Sequence, residues 1–296
     1  MNRNKIAIAF VCGLMGAGFV YADVDLPTQF TNKGGIANTR HNMTQRPTDN
    51  TLSLNGAAMD AYRNNYGEVC VYCHTPHGAN TTVTLPLWNR TMKTNTYATY
   101  NQLGTSSLTQ VVSEVPGAAS LSCLSCHDGT TAVDSIINMP GSGRYDPNQA
   151  TGQSEAFLDS WTGITSRNHM ALNGAGCLAC HAPDTPTGSN ATDFSVFAIG
   201  TDLKNDHPVG ITFPTTNGTG TDFNTPGGTR GSAAFFDDGD GIMETKELRV
   251  YGGKVECASC HDPHGVPSGA AGSQFNPTFL RVANVGSALC LTCHVK

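Results

Sequence analysis

The sequence predicts a fold of short helices and long loops with little β-sheet. A Cys-x-x-Cys-His pentapeptide occurs five times, and amphipathic periodicity is scarce elsewhere. Turn-forming residues also interrupt the chain repeatedly, at Gly34-Gly35, Pro140-Gly141, Asn217-Gly218 and Pro226-Gly227-Gly228. We therefore expect short helices at the five motifs and irregular connections between them.

Each pentapeptide predicts a site for one covalently attached haem. Two thiols three positions apart can form thioethers with the two vinyl groups of a haem, and the adjacent histidine can ligate the iron. A zinc ribbon, a thioredoxin-like motif or a disulfide scaffold would not explain the histidine behind every second cysteine. The predicted attachment residues are Cys70, Cys73, Cys123, Cys126, Cys177, Cys180, Cys257, Cys260, Cys290 and Cys293, and the predicted proximal iron ligands are His74, His127, His181, His261 and His294.

The start of the chain has the pattern of an export signal. Basic residues precede an apolar run, residues 6–20, that is too short to span a bilayer, and a small-residue cleavage site follows before Asp23. We expect residues 1–22 to be a signal peptide, and its cleavage would remove Cys12. Export agrees with haem attachment, which takes place outside the cytoplasm. No other stretch approaches eighteen apolar residues, so we expect no transmembrane segment.

The charge balance excludes a basic nucleic-acid-binding surface. The formal net charge is −6, and loss of Arg3 and Lys5 with the signal would make it −8. Charged residues make up only 14% of the chain, against about 25% in typical proteins. Such a weakly charged surface tolerates close self-association.

The motifs and the remaining histidines form an internal repeat. His41, CVYCHTPHG and CLSCH occur in the same order as His207, CASCHDPHG and CLTCH, and CLACH lies between them behind His169. We therefore divide the chain into a first two-haem module at 23–150, a central single-haem segment at 151–205 and a second two-haem module at 206–296. With roughly 55 residues for each haem, the macrocycles must form much of the apolar core.

The histidine count matches two imidazoles for every iron. Of the ten histidines, five end the motifs, and the other five are the predicted distal ligands: His41, His77, His169, His207 and His264. Six-coordinate irons with two imidazoles have low potentials and no position for a substrate. Met43 and Met170 are competing ligands beside two of these histidines.

Chain geometry limits which haem each distal histidine can reach. Two imidazoles on one iron place their Cα atoms roughly 12 Å apart, whereas three residues span at most about 10 Å. His77 therefore cannot be the second ligand of the haem held by His74. For the same reason, His264 cannot be the second ligand of the haem held by His261. We expect His77 at the second or third haem, His264 at the fifth and His207 at the fourth. His41 could serve its own protomer or the next, and the sequence leaves this open.

An acidic segment resembles a calcium-binding loop. Against the EF-hand pattern, Asp238, Asp240, Gly241 and Glu247 occupy positions 3, 5, 6 and 12, but Phe236 occupies position 1. A structural Ca²⁺ and a solvated acidic turn are the two interpretations.

Two levels of family resemblance follow from these motifs. Residues 66–127 and 255–294 resemble the doubled CxxCH cytochromes. The RHNM segment at His41, CHTPHG with the LWNR segment behind it, CLSCHDGT and the DHPVG segment at His207 resemble the outer-surface multihaem cytochromes of metal-respiring bacteria, which include filament-forming members of the OmcE and OmcS type.

The resemblance implies extracellular electron transfer to other cytochromes, metal oxides, metal ions or electrodes, with a homopolymer as one expected assembly. The sequence thus predicts an electron-transfer protein and not an enzyme. A periplasmic multihaem electron shuttle is the alternative, and a nitrite or hydroxylamine oxidoreductase is a weaker one. Catalysis of that kind needs an iron with an open face, which pentahaem nitrite reductases mark with a lysine in place of a motif histidine. All five motifs here end in histidine.

Overall fold

The computed structural model describes residues 30–44, 62–64, 66–93, 95–138, 169–183 and 192–295. The expected signal peptide at 1–22 lies outside these residues. The described α-helices are α1 (Ala118–His127), α2 (Cys257–Cys260) and α3 (Ala288–Cys293), and each contains cysteines of one motif. Short 3-10 helices, Val69–Tyr72 and Cys177–Ala179, form in the remaining two motifs. Further 3-10 turns are Ile36–Asn38, Tyr100–Gln102, Ser195–Phe197, Pro277–Phe279 and Val285–Ser287.

The motifs form helical turns because a backbone hydrogen bond can join the first and last of their five residues. The histidine N–H donates to the carbonyl of the first cysteine in four motifs, for example at 2.8 Å from His74 to Cys70 and at 2.9 Å from His294 to Cys290. One such turn brings side chains three and four positions apart onto the same face. The two thiols and the imidazole of a motif therefore start from neighbouring positions.

One small antiparallel sheet lies before the fourth motif, in a chain whose sequence predicted little β-sheet. Its strands are β1 (Ile211–Thr212), β2 (Gly228–Arg230), β3 (Ala233–Phe235), β4 (Arg249–Tyr251) and β5 (Lys254–Val255). The strand order is β1-β5-β4-β3-β2. Gly252 and Gly253 join β4 to β5 with φ of 56° and 76°, the left-handed conformation that a two-residue type I′ hairpin turn requires. Only Glu256 separates β5 from α2, so the sheet fixes where the fourth motif begins.

The buried apolar side chains form small clusters at the motifs. One contains Tyr66 and Ile136 together with Val71 and Tyr72, which are the two middle residues of the first motif. Leu124 of the second motif is fully buried in another cluster. The first two motifs therefore anchor the protein core as well as presenting cysteines and histidines.

Two buried arginines tie the chain to the motif helices. Arg90 is 2% exposed and donates to the carbonyls of Ser125, Ala132, Val133 and Ser135 at 2.6–3.0 Å. In the second module, Arg281 is 3% exposed and donates to the carbonyls of Ala258 and Thr245 and to the carboxylate of Asp262.

Within the described ranges, no helix has the length and apolar character needed to cross a membrane.

Candidate haem sites

The motif histidines are held in one tautomer by backbone carbonyls. Nδ1 donates at 2.7–2.8 Å in four of them, from His74 to Pro86, His127 to Phe197, His181 to Thr192 and His261 to Thr278. A carbonyl oxygen can only accept, so the proton lies on Nδ1 and the lone pair lies on Nε2. Metal-ligating histidines have this arrangement, because the second bond orients the ring and fixes its tautomer.

Three of the motifs are paired with a neighbouring backbone segment in the same way. A short segment runs antiparallel to the motif, forms a bridge with its histidine and donates an N–H to the carbonyl of its second cysteine. The bridges join His74 to Trp88, His261 to Leu280 and His294 to Phe223. The N–H groups of Asn89, Arg281 and Asn224 donate to the carbonyls of Cys73, Cys260 and Cys293, respectively. The first, fourth and fifth motifs thus share one local structure.

Three non-glycine residues adopt left-handed backbone conformations in these pairing segments, and one of them is Thr278 with φ of 53°. Leu87 has φ of 50° and Phe279 has φ of 60°, an uncommon conformation for bulky side chains. Each directly follows the residue whose carbonyl accepts the imidazole proton, Pro86 or Thr278. The local strain therefore accompanies the turn that aims this carbonyl at the ring.

The motif cysteines are unbridged thiols. All ten are free, and burial raises the pKa of Cys177 and Cys260 to about 11 and of Cys73 and Cys293 to about 12. Paired free thiols one helical turn apart suit two thioether bonds to a single haem.

The five motifs lie in one connected cluster. The electrostatic interaction of Cys73 with Cys126 links the first motif to the second, and that of Cys126 with Cys177 links the second to the third. Cys123 interacts with Cys257 of the fourth motif. Cys260 of the fourth motif interacts in turn with Cys290 and Cys293 of the fifth. Haems attached here would therefore be neighbours and not isolated groups.

Two of the predicted distal histidines lie against motif histidines. The His41 ring centroid is 6.3 Å from that of His127, and the His264 centroid is 6.2 Å from that of His74. His264 was expected at the fifth haem, and its ring lies beside that of His74 in the first motif. His41 lies beside a motif histidine of its own chain, and whether it ligates a haem of this chain or of the next stays open.

The other three distal candidates have different surroundings. His169 is buried, and its Nδ1 lies 2.8 Å from Oδ2 of Asp134. His207 bonds through Nδ1 to the carbonyl of Pro208, and the adjacent Asp206 is close enough to His261 to influence its pKa. The expected role of His207 at the fourth haem stays a prediction. The backbone of His77 is held by two hydrogen bonds, because its carbonyl accepts from the side chains of Thr75 and Asn138.

Burial favours the neutral, metal-binding form of five of these imidazoles. It lowers the pKa of His74, His127, His181 and His261. For His41, burial followed by repulsion from His127 lowers the pKa to about 4. His264 differs because the Asp262 carboxylate that accepts its Nδ1–H raises its pKa.

The acidic loop brings its carboxylates together around a lysine. Oxygens of Asp238, Glu244 and Glu247 lie within 4.8 Å of one another, while Asp240 groups with Asp237 and Asp238 instead. Lys246 Nζ lies 2.6 Å from Asp238 and 2.8 Å from Glu244, so an ammonium already supplies positive charge here. The Ca²⁺ site at Asp238, Asp240 and Glu247 stays a prediction, tested by whether Ca²⁺ raises and EDTA lowers the melting temperature.

Sequence reasoning missed the groups that position the ligands. The carbonyls of Pro86, Phe197, Thr192 and Thr278 carry no side-chain signature, so no motif could have revealed them. Asp262 lies within the CHDPHG segment, and its spacing of two residues from His264 was a usable signal.

These donor sets fit haem c. Each motif offers two free thiols on one helical turn, and four motif histidines present a neutral imidazole with Nε2 as the ligand nitrogen. No protein-family model and no curated protein matches this chain.

Proposed function

We propose that this chain is a pentahaem c-type cytochrome that transfers single electrons and has no catalytic site of its own. The observation that carries the proposal is the shared state of the motif histidines, four of which direct Nδ1–H to a backbone carbonyl. Haem bound at these motifs would supply an iron that takes up and releases one electron.

The residues of the chain would fix the spacing and the electronic environment of the haems. The cysteines of each motif would tether the macrocycle at two points, and the motif histidine would form the first axial bond. His41, His77, His169, His207 and His264 would supply the second. The electrostatic interactions between the motif thiols, from Cys73 and Cys126 to Cys257 and Cys290, support electron transfer along the molecule, since the attached haems would be neighbours.

We place this activity outside the cytoplasm, at the outer-membrane surface or in the extracellular space, with the periplasm as the alternative. The export-signal pattern and the resemblance to outer-surface cytochromes support this location. Other cytochromes, metal oxides, metal ions or electrodes would be the electron partners. The weakly charged surface, with charged residues at 14% of the chain, and the resemblance to filament-forming cytochromes support self-assembly into a filament.

The haem assignment is tested by intact mass and voltammetry of the protein purified after export. We expect the mass of five haems and reversible one-electron waves at low potential. A variant with Cys257 and Cys260 both replaced by alanine should lose the mass of one haem. A protein without covalent haem, or without a reversible wave, would contradict the proposal.

Filament formation needs a separate test. Electron micrographs of the secreted protein should show polymers. Only dispersed monomers, with every iron ligated within its own chain, would remove the filament from the proposal and leave the electron-transfer role intact.

A further inference from the structure

Two histidine pairs have the separation expected for two imidazoles on one iron. A metal–imidazole bond is about 2 Å long, and the bonded nitrogen lies about 1.1 Å from the ring centre, so two rings on opposite sides of one metal have centroids about 6 Å apart. His74 and His264 are 6.2 Å apart, and His41 and His127 are 6.3 Å apart. The members of each pair come from distant parts of the chain.

We propose that His74 and His264 are the two axial ligands of the first haem, and that His127 and His41 are those of the second. This assignment rests on the proposed haem function and goes beyond it, because it names which histidines share an iron. Both ligands of each iron then come from one chain. The first haem joins the two modules, since its proximal ligand lies in one and its distal ligand in the other.

The hydrogen bonds of the four rings support the pairing. In each ring Nδ1 is bonded elsewhere: His74 to the Pro86 carbonyl at 2.7 Å, His127 to the Phe197 carbonyl at 2.7 Å, His41 to the Pro263 carbonyl at 3.2 Å and His264 to the Asp262 carboxylate at 2.9 Å. Nε2 is therefore the ligand nitrogen on both sides of each pair.

One short segment then organises three haems. His261 is the proximal ligand of the fourth haem, and His264, three residues later, would ligate the first. Between them, the Pro263 carbonyl accepts the Nδ1 proton of His41, the proposed ligand of the second haem. His264 cannot turn back to its own motif, because three residues are too short. The first, second and fourth haems would therefore meet around residues 261–264.

The pairs differ in ring orientation, and this gives each a spectroscopic signature. The planes of His74 and His264 lie 13° apart, whereas those of His41 and His127 lie 84° apart. Near-parallel imidazoles split the two iron d orbitals that overlap with them and give a rhombic low-spin EPR signal. Near-perpendicular imidazoles leave these orbitals almost equal in energy and give a strongly anisotropic signal dominated by one large g value. The ferric protein should show both types.

A double-variant cycle tests the first pair. His264→Ala in the five-haem protein should convert one iron per chain from low spin to high spin. In a variant with Cys70 and Cys73 both replaced by serine, which lacks the first haem, the same substitution should create no further high-spin iron. If His264→Ala adds a high-spin iron in both backgrounds, His264 serves another haem and the assignment is wrong.

Nuclear Overhauser contacts in the reduced, diamagnetic protein test both pairs without any variant. We expect ring protons of His264 and His74 to contact one porphyrin, and those of His41 and His127 to contact another. Contacts from His264 to the porphyrin attached at Cys290 and Cys293 would overturn the first pair, and contacts from His41 to any other porphyrin would overturn the second. Five haems with different contacts would refute the pairing alone, whereas a protein without haem would refute the proposed function.

Discussion

At the scale of single residues, the hydrogen-bond acceptors of Nδ1 differ among the proposed ligand histidines. His264 and His169 face carboxylates, Asp262 and Asp134, whereas His41 and four motif histidines face backbone carbonyls. A carboxylate draws the Nδ1 proton more strongly and makes the imidazole a better donor to the metal. Ferric iron gains more from a strong donor than ferrous iron does, so haems with these ligands should have lower potentials.

Replacing Asp262 with asparagine should raise the potential of one haem by tens of millivolts, because the hydrogen bond to His264 Nδ1 weakens. Spectroelectrochemical titration of the variant would show one wave shifted upward and the others nearly unchanged. Asp202→Asn, at an exposed position, is the matched control and should shift none. A downward shift, or equal shifts in both variants, would contradict this role of Asp262.

Replacing Arg90 with lysine should lower the free energy of unfolding by about 3 kcal/mol, because an ammonium cannot replace all the bonds of a buried guanidinium. Arg90 joins Ser125 in the second motif to the carbonyls of residues 132, 133 and 135. Denaturant titration followed at the haem absorbance would measure the loss. Arg230→Lys, at an exposed position, should change stability by less than about 0.5 kcal/mol.

At the scale of elements, helices α1 and α2 are joined by one buried carboxylate. Glu256 accepts the N–H of Gly117 at the start of α1 and the hydroxyl of Ser120, while Ser120 accepts the N–H of Cys257 in α2. These contacts satisfy donors at both helix starts that the helices cannot satisfy themselves. Glu256 thereby holds the second and fourth motifs next to each other.

This contact should make stability depend on pH. Burial raises the pKa of Glu256 above its ordinary 4.5. The folded state therefore binds the Glu256 proton more tightly than the unfolded state does. Protonation of Glu256 contributes fully to the free energy of unfolding below pH 4.5, and this contribution is lost as the pH rises through the folded pKa. Glu256→Gln should remove that dependence, so the variant gains stability relative to wild type over this range.

Unfolding free energies of both proteins across mildly acidic pH would measure the effect. Glu114→Gln, at an exposed position, should follow the wild-type curve. A constant difference between wild type and Glu256→Gln at every pH would show that the titration of Glu256 does not contribute.

At the scale of the whole molecule, the described apolar clusters are small and lie around the motifs. Protein produced without haem attachment should therefore lose its cooperative thermal transition, because the macrocycles would form much of the buried apolar surface. Calorimetry of the exported holoprotein and of protein retained in a cytoplasm without haem maturation would compare the two. Similar melting temperatures would show that the polypeptide alone builds the core.

The local parts of this structure could be predicted from the sequence, and the long-range parts could not. Helical turns at the motifs follow from contacts within five residues, and the count of ten histidines suggested two ligands for each iron. The position of His264 at His74 depends on chain packing across 190 residues. The five-stranded sheet escaped prediction because strands of two or three residues are too short to show an alternating pattern.

Low-temperature EPR of the oxidised protein, before and after addition of cyanide, tests most directly whether ten imidazoles occupy both sides of five irons. We predict that all five irons are low-spin, that rhombic and large-g signals are both present, and that cyanide leaves the spectrum unchanged. A high-spin ferric signal, or an iron that binds cyanide in the protein as isolated, would contradict the account.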